Sequence, residues 1–260
     1  MSVHGQLLLR NHAPFIRFWL ARVFTASGFQ MLTVAIGWQM YSLTGNVLDL
    51  GLVGLVEFLP KILFILLTGH VADRFDRRKV AALCQCGQAI VAITLLVGSS
   101  TGSLTREMIF VIAFMMGTAR AFEMPTTQAL LPNIVPPGLF PAAVAASSSA
   151  MQTATIVSPA LGGVLYAVAP AWVYGPALVL YLIAMAMMLS LPSQQKPLKQ
   201  KISVESLLAG FRFIRSRPEV FGAISMDMFA VLLGGATALL PVFAKDLSLI
   251  HISEPTRQAE

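Results

Sequence analysis

A chain of 260 residues that is 56% hydrophobic, only 12% charged and +0.75 in mean hydropathy carries about half the charge of an ordinary soluble domain. That deficit leaves too little polar surface for a water-soluble globule of this size and places the chain in a bilayer. The formal net charge of +6 then has two explanations, a nucleic-acid partner or a basic excess on one side of a membrane, and the positions of Lys and Arg decide between them.

In chain order, Met1 to Phe15 shows no cleavable signal peptide, so the first span is expected to act as its own insertion signal. Runs long enough to cross the hydrocarbon as helices, about 20 apolar residues each, are predicted at about Phe18 to Tyr41, Leu48 to Ala72, Val80 to Ser99, Met108 to Met124, Leu139 to Val168, Trp172 to Leu191 and Val220 to Ala244. The breaks carry turn chemistry: Thr44-Gly45-Asn46, Gly98 to Gly102, Pro136-Pro137-Gly138, Pro170, and Pro192-Ser193. Cys84 and Cys86, two apart in an apolar segment, point in different directions on a helix and are read as packing residues with no metal role.

With the N-terminus placed in the cytoplasm, the inner segments hold Arg10, then Arg74, Arg77, Arg78 and Lys79, then Lys196, Lys199, Lys201, Arg212, Arg215 and Arg217, while the outer connections hold Arg106. This asymmetry predicts the orientation and makes the basic charge topological, so no nucleic-acid partner is needed. Residues 1–191 are expected to form a six-span bundle and 192–218 a cytoplasmic linker. Leu207, Leu208, Phe211 and Ile214 recur there at the spacing of an amphipathic surface helix, with a plain solvated linker as the alternative. Residues 219–246 are read as a seventh span opening a second bundle. The tail 247–260, beginning Leu247-Ser248-Leu249-Ile250-His251-Ile252-Ser253-Glu254-Pro255-Thr256-Arg257, reads like a translated sequencing adapter, and the natural polypeptide is expected to continue.

Between the second and third spans lies Gly69-His70-Val71-Ala72-Asp73-Arg74-Phe75-Asp76-Arg77-Arg78-Lys79. It resembles motif A of the major facilitator superfamily: Gly69, Asp73, Arg74, Arg77 and Arg78 match the pattern, and Asp76 stands where a second Gly is usual. Gly tolerates left-handed dihedrals more easily than Asp, although Asp is among the better substitutes. The resemblance implies a gate latch, in which Asp73 bonds Arg77 and faces helix N-termini of the opposite bundle only when the inner gate is shut. Gly117-Thr118-Ala119-Arg120, Ala129-Leu130-Leu131-Pro132 and Ser206-Leu207-Leu208-Ala209-Gly210-Phe211 look like the enterobactin-exporter branch of that superfamily, which overlaps macrolide-efflux-type exporters. Ser158-Pro159-Ala160-Leu161-Gly162-Gly163 resembles the antiporter motif C. Pro159, Gly162 and Gly163 also fit simple close packing of helices.

Ionisable residues inside spans are costly and mark function or internal pairing. Glu57 and Lys61, four apart on the second span with Pro60 between them, share a face and can pair, or can form a proton or substrate site. Arg120 and Glu123, three apart on the fourth span, can make an ion pair. The resemblance assigns Arg120 to motif B and implies that Glu123 exchanges partners with Arg77 or Arg74. Arg22 lies near enough to the first span's end to snorkel to headgroups, or to join the interior charges, and Asp227 in the seventh span has no local basic partner.

The reading is an all-α, polytopic membrane protein, a major-facilitator six-helix N-terminal bundle plus the first helix of the second bundle. The resemblance implies a bacterial inner-membrane transporter exporting a small amphipathic molecule, siderophore or drug-like, by proton antiport. It would use the proton-motive force, need no cofactor or metal, and work as a monomer at full length. Uptake, a half-size dimeric transporter and a non-transporting receptor remain alternatives. No catalytic constellation argues for an enzyme.

Overall fold

The computed structural model describes residues 12–192 and, outside that stretch, only positions 9, 217, 221, 222, 225 and 226. The expected amphipathic linker helix, the rest of the expected seventh span with Asp227, and the tail from 247 lie outside the described residues. Helix α1 (Ala13–Thr44) starts where His12 Nδ1 accepts from the Phe15 amide at 3.3 Å, with Pro14 in the first turn. It stops at Gly45, whose φ of 62° is the left-handed conformation open to a residue without Cβ, and the Gly45 amide returns to the Tyr41 carbonyl. Asn46 then caps α2 (Val47–Leu63), accepting from the Leu48 amide at 2.9 Å.

Pro60 lacks the N–H that would bond back one turn, and α2 ends three residues later. The chain resumes after Phe64 as α3 (Ile65–Arg74), so the second span, expected to run unbroken from Leu48 to Ala72, is bent into two helices. Asp76 caps α4 (Arg77–Thr101), which therefore begins before the expected Val80. Helix α5 (Arg106–Ile134) runs past the expected end at Met124, through Pro125 and Pro132. Beside Pro125 the Thr126 and Thr127 hydroxyls bond the carbonyls of Phe122 and Glu123 at 2.6 and 3.0 Å, the kind of side-chain support that lets membrane helices carry proline. A 3-10 turn (Pro137–Leu139) leads into α6 (Phe140–Val168), and Pro170 precedes α7 (Ala171–Leu189).

Five of these helices are long and apolar enough to cross a membrane, and six spans result when α2 and α3 count as one bent crossing. The protein is thus an all-α, multi-pass membrane protein. The main contacts pair the first span with the fifth and sixth, the fourth with the second and third, and the third with the sixth. Exchanging spans one, two and three for four, five and six maps this set onto itself. Since a unit of three spans reverses direction on repetition, the bundle is built as an inverted repeat.

The closest helix crossings belong to one symmetry-related class. A Cβ on Gly117 of α5 would overlap the carbonyl oxygen of Glu57 in α2, and one on Gly162 of α6 would stand 2.9 Å from the Met31 Cα of α1. Gly162 thus does the close packing read into Pro159, Gly162 and Gly163. Gly163 does not, because a Cβ there would meet nothing within 4 Å. Outward faces are apolar, with Leu83, Ile156, Val164 and Val168 all strongly exposed, as hydrocarbon contact demands.

Candidate functional site

The loop joining α3 to α4 is held by three side chains. Asp76 has φ −60°, outside the left-handed region, so the expected conflict with a glycine position does not arise. Its Oδ1 accepts from the Arg78 amide at 3.0 Å and from Arg78 Nε at 3.1 Å, while Oδ2 accepts from Nη2 at 2.7 Å. These hydrogen bonds from Arg78 hold the Asp76 carboxyl below the usual carboxylate range. Arg78 Nη1 also donates to the Leu191 carbonyl just after α7, tying the loop to the exit of the sixth span.

Arg77 is a cross-brace. Its Nε donates to the Ala72 carbonyl of α3 at 2.9 Å and Nη1 to the Ala129 carbonyl of α5 at 2.7 Å. The Asp73–Arg77 pair forms at 3.4 Å, with the Asp73 side chain 70% exposed, so the bundle itself makes little use of Asp73. Arg74 is exposed, and a Cβ on Gly69 would meet nothing within 4 Å.

Deeper in, two apolar cores are separated by a polar belt. One core holds Leu32, Ile36, Leu95, Ile109 and Tyr174; the other, nearer the loop, holds Phe18, Ala81, Leu131 and Met188. Between them Arg120 Nη1 donates to Glu123 Oε2 at 3.3 Å, with the Glu123 side chain only 2% exposed. Gln88 Nε2 reaches the same oxygen at 3.4 Å, and Gln85 Nε2 donates to Thr25 Oγ1 at 3.0 Å. Arg120 also lies over the Phe29 ring at 4.8 Å. Arg22, over Phe18 at 5.7 Å, is within electrostatic reach of Glu123 and Arg120. It is half-buried beside this belt, the position that the interior reading of Arg22 expects. In this conformation Arg77 is engaged by Ala72, Ala129 and Asp73, and Glu123 by Arg120 and Gln88.

Glu57 and Lys61 do not close into an ion pair. Lys61 Nζ lies over the Phe58 ring at 5.4 Å, and Glu57 feels Lys61 and Arg120 at longer range. The two glutamines and Tyr181 are buried as well, and their signal in the sequence is polar residues recurring inside apolar runs at 85, 88 and 181. Asp49, in the first turn of α2, is a further charge inside the second span, not singled out from the sequence; it accepts from Arg106 Nε at 3.0 Å and Nη2 at 2.5 Å and joins the second and fourth spans at the end away from the loop.

Spans arranged three by three in two halves of opposite direction, with buried charge between them and a basic loop of the motif A type at one end, define a membrane bundle of the major-facilitator kind. Residues 8–250 match the family described as transmembrane secretion effector, and the chain belongs to that family. It is 27% identical over 241 residues to the enterobactin exporter EntS of Citrobacter koseri, of Escherichia coli O1:K1 / APEC and of Shigella boydii serotype 18. Each alignment covers 91% of this chain and 58% of the relative, so the chain spans less than two thirds of the length of these relatives.

Proposed function

We propose that the chain carries the first bundle of an exporter that moves a small amphipathic molecule, a siderophore or drug-like compound, out across the bacterial inner membrane by proton antiport with alternating access. The N-terminus and the 69–79 loop face the cytoplasm in this reading, as the positive-inside rule asks. The observation that carries the transport reading is the belt of Arg22, Gln88, Arg120 and Glu123, a set of costly intramembrane polar groups held together between two apolar cores. Export and a siderophore-like cargo are supported by the relatives' names.

Within this scheme Glu57 is the proton-carrying candidate: its side chain is half-buried, its helix is weakened by Pro60, and Lys61 and Arg120 bias its charge. Asp73 is the latch, left exposed so that it can meet helix N-termini of a second bundle beginning near residue 219 when the inner gate closes. The test is uptake into inverted vesicles bearing the complete gene product. An imposed proton gradient is expected to drive accumulation of a catecholate siderophore, and Glu57→Gln to abolish the pH dependence. Accumulation that ignores an uncoupler, or that occurs only in right-side-out vesicles, would overturn export by antiport.

A further inference from the structure

The second and third spans barely touch each other, and both lean on the fourth. Between them opens a cleft of about 700 Å³, floored by Phe114, Thr118 and Phe122 of α5 and edged by Phe75 and Leu83. Gly87 lines it, and a Cβ there would point into open space, with nothing within 4 Å. From Lys79 to Gly87 its lining on α4 covers about 12 Å of helix, most of the depth of one leaflet's hydrocarbon, about 15 Å. The apolar part points toward the membrane interior, and at the loop end the lining turns polar with Asp76 and Lys79. Asp76 is already engaged by two arms of Arg78, so Asp76, Arg78 and Lys79 together leave one positive charge at the mouth, and Lys79 is exposed there.

We propose that this cleft is a binding site for an anionic phospholipid, with one acyl chain lying along α4 beside Gly87 and the phosphate at Lys79. The length match sets the chain's place, and the unneutralised Lys79 sets the sign of the headgroup. The occupant would also brace the α3–α4 loop, because Phe75 and Asp76 form part of its wall. This site depends only on the bundle being embedded in a bilayer, whatever the transporter carries.

Native mass spectrometry of the complete protein, released from detergent after exposure to equal phosphatidylglycerol and phosphatidylcholine, tests it. The wild type is expected to retain phosphatidylglycerol about fivefold over phosphatidylcholine, the effect of one lysine near a charged headgroup. Gly87→Leu, which fills the cleft, is expected to lose both lipids, and Lys79→Gln to keep a lipid without preference. Both variants should melt like the wild type. Equal retention of the two lipids by the wild type, no retention at all because a second bundle fills the cleft, or unchanged retention in Gly87→Leu would each overturn the proposal.

Discussion

The crossing of α2 and α5 makes a sharp test of how the bundle is packed. In Gly117→Ala the new Cβ would overlap the Glu57 carbonyl oxygen and stand 2.9 Å from its carbon and 3.1 Å from its Cα. These are backbone atoms inside a hydrogen-bonded helix, so they cannot swing aside as a side chain would. Overpacking of this kind costs about 3 kcal/mol at the upper end of its ordinary range. Alanine's advantage over glycine within a helix returns about 1 kcal/mol, leaving a net loss of about 2 kcal/mol. For a bundle of this size that corresponds to a drop of about 4–8 °C in Tm. Tryptophan-fluorescence melting in a mild detergent measures it, with Gly163→Ala as control, because a Cβ at 163 has open space and the change should be neutral or slightly stabilising. If Gly117→Ala melts within about 1 °C of the wild type, the two spans are not in the contact described and the geometry assigned to Glu57 falls with it.

Other expectations follow from the charged groups. Glu123→Gln removes the buried partner of Arg120 and should destabilise by about 3–5 kcal/mol, with partial recovery in the Arg120→Gln/Glu123→Gln double variant; equal melting of both variants and the wild type would deny the belt its pairing. Asp73→Asn, by contrast, should leave melting nearly unchanged, because the exposed pair is worth about 1 kcal/mol or less, while raising the reactivity of a cysteine reporter placed at the inner gate. Unaltered accessibility would remove Asp73 from the latch. Arg77→Lys loses the fork that reaches Ala72 and Ala129 together and should melt lower than the wild type, since an ammonium cannot reproduce it; an unchanged melt would show the brace to be idle. For Asp76 the native pKa lies below the unfolded one, so its contribution is complete above the ordinary carboxylate value of about 4 and disappears as pH falls through the lower native value. The wild-type advantage over Asp76→Asn should therefore be flat from neutral pH to about 5 and shrink only below about 4; an advantage that shrinks near neutral pH would contradict the Arg78 clamp.

Much of the bundle was legible because spanning helices must be long and apolar, and their ends were marked by Gly45, Gly102, the Pro136-Pro137-Gly138 turn and Pro170. Boundaries slipped where local chemistry overrode hydropathy. Asp76 starts α4 early by capping it, and threonine hydroxyls carry α5 through Pro125. Pro60 announced a weakened second span but not the position of the break at Phe64, which depends on what α3 packs against. The Arg120–Glu123 pair followed from spacing on one helix. The assembly of Arg22 with Gln88 and Glu123 did not, because three different helices supply them and sequence alone gives no rotation of one helix about another. Glu57 and Lys61 show the converse: correct spacing for a pair on one helix, with Lys61 drawn instead to the neighbouring Phe58 ring.

The grip of Arg78 on the Leu191 carbonyl fixes a point of departure. Leu191, where the chain leaves the sixth span, is pinned beside the loop that is read as the gate, so whatever connection follows it departs from a fixed origin. Any pull exerted along that connection is delivered first to the base of the third span.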